Sequence, residues 1–126
     1  MSPSALNHTE SDPPTQIWIA LEAIDMRIGV DGIATRVQET LGKSPTDGNA
    51  YVFRNRRNTR IKLLIWDSTG VWLCQRRLHR GSFAWPSLDN PVCEITPAQW
   101  EYLIKGVDWQ RLHPLKKTAG AQNWAF

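Results

Sequence analysis

The residues with most chemistry to offer lie between positions 54 and 80. Arg54, Arg56, Arg57, Arg60, Lys62, Arg76, Arg77 and Arg80 fall there with a single acid, Asp67. That stretch carries +7 in a chain whose total is +3, so the remainder carries −4. Such a local field attracts polyanions, and guanidiniums fork onto phosphate oxygens. Trp66 and Trp72 stand in the same stretch and Trp85 just after it; indole faces stack on bases or sugars. Two plainer readings stand beside this one. A basic run is often only a solvated surface, and paired indoles in a sheet usually pack under a helix.

Catalytic groups are poorly represented. Asp25, Asp31, Asp67 and Glu94 are the acids a metal-dependent nuclease would gather, but no spacing among them is diagnostic. Cys74 and Cys93 do not make a structural zinc site, which usually takes four ligands. His8, His79 and His113 are scattered, and no His stands where it would activate a Ser or Cys; His79 near Cys74 is a weak signal. Gly29 and Gly32 form no phosphate-cradling repeat. The expectation is a non-enzymatic protein with no metal and no cofactor.

The elements that must position the basic stretch read as follows. Residues 1–15, ending in Pro13-Pro14, have the composition of a disordered tail. Ile17 to Leu21 reads as a strand. Ile33, Ala34, Val37 and Leu41 recur at helical spacing, with Asp31 as the cap and Gly42 as the stop. Tyr51–Phe53, Ile61–Trp66, Val71–Leu78 and Val92–Ile95 read as strands. Thr96-Pro97-Ala98-Gln99 is a capping box with Pro at the first helical position. Trp100, Leu103, Ile104 and Val107 form that helix's apolar stripe, with Gly106 at its end. The result is an α+β domain over 16–109, a small antiparallel sheet with a central β-hairpin and two short helices. Residues 110–126 read as a loose tail. The N-terminus lacks a signal peptide's pattern and no apolar run reaches membrane-span length, so the expected location is the cytoplasm, away from membranes.

The hairpin's register depends on its turn. Asp67-Ser68-Thr69-Gly70 suits a type I turn with a left-handed glycine and a G1 bulge. Trp66 then lies across from Trp72, Leu64 from Cys74 and Lys62 from Arg76, while Ile61, Leu63, Ile65 and Leu73 face the core. A slip of one residue swaps the faces.

An ordered series of residues resembles a known family. Asp25-Met26-Arg27, Gly29 and Asp31-Gly32 are similar to its opening. Asn55-Arg56-Arg57, Ile61-Lys62, Trp66-Asp67, Gly70, Arg76-Arg77-Leu78, Gly81, Phe83 and Trp85-Pro86 follow its central block. Thr96, Gln99, Gly106 and Asp108 follow its closing helix. The family is the TnpB-type accessory protein of the IS-sixty-six group of bacterial insertion sequences, distinct from the RNA-guided nuclease of the same name. Ile28 stands where Lys is usual, His79 where Glu is common, and Trp100 where Leu is. The resemblance implies an accessory role in DNA transposition beside a separate transposase. Arg27, Arg56, Arg57, Lys62, Arg76 and Arg77 fall on its motif positions. The leading reading is therefore a DNA-binding module for insertion-sequence ends, contacting DNA through Arg27, the basic stretch and Trp66, Trp72 and Trp85. A protein adaptor docking the transposase or another transposition protein is the alternative, and a metal-dependent nuclease the remote one.

Overall fold

The computed structural model describes residues 16–87 and 89–107. The tails expected at 1–15 and 110–126 lie outside the described residues. Seven elements follow in chain order: β1 Ile17–Ala20, α1 Val30–Glu39, β2 Ala50–Arg54, β3 Arg60–Trp66, β4 Val71–Arg77, β5 Val92–Ile95 and α2 Pro97–Ile104. The strands form one sheet in the order β4-β3-β2-β1-β5. Neighbours run antiparallel except β1 and β2, which are parallel. The expected α+β fold is present, and that parallel pair follows from α1, which supplies the crossover that parallel neighbours need.

Each face of the sheet carries a helix. α1 sets Ile33 and Val37, one helical turn apart, on Ala20, Tyr51, Phe53 and Leu64. α2 sets Trp100, Leu103 and Ile104 on Ile19, Val52, Ile61, Leu63, Ile65 and Ile95. Covering both faces is why Ile61 to Ile65 is buried without interruption; a strand packed on two sides loses its polar alternation. Burying side chains of this size is worth about 1.5–3 kcal/mol each.

The helix ends are set locally. Thr96 accepts from Gln99 N–H while Gln99 Oε1 accepts from Thr96 N–H, the expected capping box. Gly106, at φ +76°, closes α2. α1 differs from expectation at its start: Gly29 is the N-cap, and Asp31 lies in the first turn, where its charge favours the helix dipole. Gly42, at φ +66°, turns the chain out of α1 as expected.

The β3–β4 turn corrects the expected register. Gly70 is not among the positive-φ glycines, so there is no G1 bulge. Asp67 Oδ1 instead accepts from Thr69 N–H, Thr69 Oγ1 and Gly70 N–H, and Asp67 N–H donates to Gly70 O. Trp66 thus pairs with Val71, Ile65 with Trp72, Leu64 with Leu73 and Ile61 with Arg76. With one residue fewer in the turn, every β4 side chain changes face. Trp66 and Trp72 stand on opposite faces of the sheet, and Leu73, expected in the core, is exposed.

The hydrogen bonds from Thr69 and Gly70 hold the Asp67 carboxyl below its ordinary value of 3.8. A depressed carboxylate stabilises the fold fully above its unfolded pKa and loses that contribution as pH falls through the folded one. Urea midpoints measured between pH 6 and acid should therefore fall less steeply for Asp67→Asn than for the parent chain.

Candidate nucleic-acid interface

The basic residues are brought together by two loops at one end of the sheet. The β2–β3 turn is Asn55-Arg56-Arg57-Asn58, closed by Asn58 N–H donating to Asn55 O. Asn55 Oδ1 accepts from Thr59 N–H and Arg60 N–H, and its amide donates to Thr59 Oγ1. Asn58 takes the left-handed conformation at φ 58°, which Asn tolerates better than most residues. This framing leaves Arg56 and Arg57 exposed at the tip. The chain leaving β4 is tied to the same turn: Leu78 N–H donates to Thr59 O and Phe83 N–H to Asn58 O. Arg80 lies in the loop between those two bonds. Arg60 and Arg77 are direct partners in the β3–β4 ladder.

Arg56, Arg57, Arg60, Arg77 and Arg80 therefore share one end of the molecule. None of them pairs with a carboxylate among the described residues. Arg76 is next to this group. Its Nε donates to Ile104 O, the negative end of α2, while the side chain stays exposed.

The other expected contacts are arranged differently. Lys62 does not face solvent: it is buried, and Nζ donates to Met26 O at 2.6 Å and Ile28 O at 2.9 Å. It is a clamp on the segment before α1, because an ammonium taken from water needs acceptors and those carbonyls supply them. Arg54 is half-buried, with Nε and Nη2 on Leu21 O and Nη1 on Asn58 Oδ1; it braces the turn from beneath. Arg27 stands apart and is bound to Asp25 by a bidentate ion pair. That contact holds the Asp25 carboxyl at about 2.

The indoles are likewise separated. Trp66 and Trp72 lie at the far end of β3 and β4, roughly 17–20 Å along the strands from Arg60 and Arg77. Trp85 is the indole that reaches the basic end. Its Nε1 donates to Ala20 O at 2.8 Å, and it lines a cleft of about 690 Å³ with Arg54, Arg56, Asn58, Pro86 and Asp89. Asn55 and Asn58 escaped the sequence reading as site residues. Their signal was the Asn-x-x-Asn spacing around the two arginines, which suits the first and last positions of a turn.

The acids of the nuclease reading are not gathered. Asp25 is held by Arg27, Asp31 rides on α1, Asp67 closes a turn and Glu94 on β5 accepts from Gln16. Among the described residues no three His, Cys, Asp or Glu could hold a metal ion together. Burial raises both thiols, Cys93 to about 12 with Glu94 adding to the shift. Neither is a ready thiolate nucleophile near neutrality.

Comparison with known proteins decides the lineage. The profile described as IS66 Orf2 like protein matches residues 15–114. The chain belongs to the IS66 Orf2-like family. Two relatives from Sinorhizobium fredii (strain NBRC 101917 / NGR234) agree with that breadth, both described as uncharacterized proteins. One, y4hO, is 44% identical over 99 residues, covering 79% of this chain and 84% of its own. The other, y4jC, is 30% identical over 104 residues, covering 81% and 89%. No solved structure matches the chain. Membership in the IS66 Orf2-like family points to an accessory role in transposition, and among the described residues no helix is long and apolar enough to cross a membrane.

The two kinds of cation should separate in mutagenesis. Lys62→Ala leaves the Met26 and Ile28 carbonyls without their donor and should cost about 1–3 kcal/mol in urea unfolding. Arg57→Ala should stay within about 0.5 kcal/mol of the parent chain.

Proposed function

We propose that this protein is a non-catalytic accessory factor of transposition that binds DNA, at insertion-sequence ends, through Arg56, Arg57, Arg60, Arg76, Arg77 and Arg80. The observation that carries this reading is the convergence of the β2–β3 turn and the chain leaving β4 into one largely exposed arginine cluster that, among the described residues, has no carboxylate partner. The cluster is held by backbone and Asn hydrogen bonds, so the guanidiniums ride on a preformed frame. Contact is chiefly to phosphate, with Trp85 and its cleft beside Arg56 as the place for a base or sugar. Lys62 and Arg54 support this surface from within, and Arg27, Trp66 and Trp72 fall outside it. The chain works in the cytoplasm beside a separate transposase that carries the strand chemistry.

An adaptor reading draws on another surface, the exposed Val71, Trp72 and Leu73 of β4, since Trp is a frequent anchor of protein interfaces. Capture of the transposase from nuclease-treated lysate, undiminished by loss of the arginines, favours it over DNA binding.

Electrophoretic or fluorescence titration with terminal-repeat DNA at several salt concentrations tests the main reading. Joint Arg56→Ala and Arg57→Ala substitution should weaken binding and lower the slope of log K against log salt by about 1.8. Arg36→Ala, on α1 outside the cluster, should leave the slope unchanged. An unaltered slope in the double variant removes the proposal.

A further inference from the structure

β4 forms one edge of the sheet, and among the described residues nothing pairs with its outer side. The direction of its backbone groups follows from two bonds. Leu78 N–H donates to Thr59 O and Asp67 N–H to Gly70 O, both continuing the β3–β4 register. Trp72, Cys74, Arg76 and Leu78 therefore bond towards β3. Val71, Leu73, Gln75 and Arg77 turn their N–H and C=O groups outward.

Sheet edges are normally blunted by short length, proline, bulges or charge. β5, at the other edge, is four residues long, follows Pro91 and carries Glu94. β4 has seven residues, no proline and an unbroken register. Its charges lie at one end only, while Val71, Trp72 and Leu73 are 40%, 46% and 36% exposed.

We propose that β4 pairs antiparallel with β4 of a second copy of this chain, across a twofold axis at Cys74, so that the two sheets become one. Outward-facing residues must meet outward-facing residues, which places the axis on a residue and not between two. With Cys74 at the axis the whole strand is used. Val71 meets Arg77 of the second copy, Leu73 meets Gln75, and the two Leu73 side chains become diagonal neighbours. On the other face Trp72 meets Arg76 of the second copy, a guanidinium against an indole. Moving the axis to Leu73 or Gln75 leaves two strand residues of each copy unpaired. Moving it to Arg76 opposes like charges. The strand is thus complementary to itself in hydrogen bonding, and each cation of one copy meets an uncharged residue of the other. The two Arg77 residues end up roughly 20 Å apart along the strands, beyond the Debye length of about 8 Å at physiological salt, so the basic ends do not oppose the contact. This proposal does not rest on DNA binding, although Arg76 and Arg77 belong to both surfaces.

Sedimentation or light scattering of the full chain, freed of nucleic acid, should give a dimer that dissociates on dilution. Gln75→Pro removes an outward N–H and no bond to β3, and should give a folded monomer. Leu73→Lys, which adds charge to the apolar end, should do the same. Oxidation supplies a positional readout, because a non-hydrogen-bonded pair brings Cα atoms to about 4.5 Å, within disulfide reach. Diamide takes up two protons and two electrons as two thiols join in one S–S bond. Cys93→Ser protein should cross-link through Cys74, and Cys74→Ser protein should remain a non-covalent dimer. The proposal is overturned by a monomer at every concentration, by a dimer indifferent to both strand variants, by cross-linking through Cys93 alone, or by a monomer whose β4 captures the transposase instead.

Discussion

The Asp67 turn is the constraint on which the functional geometry rests. One carboxylate oxygen gathers three donors from Thr69 and Gly70, and the turn closes with no extra residue. That count fixes the β3–β4 register. The register in turn sets Arg60 beside Arg77, puts Arg76 within reach of the end of α2, and leaves Leu73 in solvent. A bulged turn would have reversed β4 and dispersed the same arginines differently. Position in the sequence supplied the cations; the turn decides which of them are neighbours.

Features governed by local rules were legible before the fold was known. The Thr96–Gln99 box, the Ile33–Val37 spacing and the stops at Gly42 and Gly106 each depend on a few adjacent residues, and each is present. The register was not legible, because it hinges on the backbone angle of Gly70, which glycine leaves open in either direction. The unbroken run from Ile61 to Ile65 did carry a signal of two-sided burial, but Lys62 interrupted it. Nothing near Lys62 in sequence reveals that its partners are the carbonyls of Met26 and Ile28, brought to it by the chain that precedes α1.

The site was legible as a composition and not as a constellation. Eight cations in one stretch suggested one surface. The fold divides them into an exposed cluster, a buried clamp at Lys62 and a brace at Arg54. The division follows desolvation: a cation drawn inward must find acceptors, and both of these find backbone carbonyls. The same separation distributes the indoles, with Trp85 at the basic end and Trp66 and Trp72 at the other. Two surfaces of different character result, one charged and framed by loops, the other an apolar strand edge.

The sheet's strand order also divides the molecule by the length of chain each pairing must close. β2, β3 and β4 form a meander joined by turns of a few residues, and the arginine cluster is built from that meander and the chain just after it. β1 and β5 join Ile17 to Ile95, across almost the whole domain. Loop-closure entropy rises with that separation, and such distant contacts are the slow ones in folding. The charged surface is therefore assembled from the cheapest contacts in the fold, while the closing of the sheet, and the docking of α2 behind β5, carry the largest entropic cost.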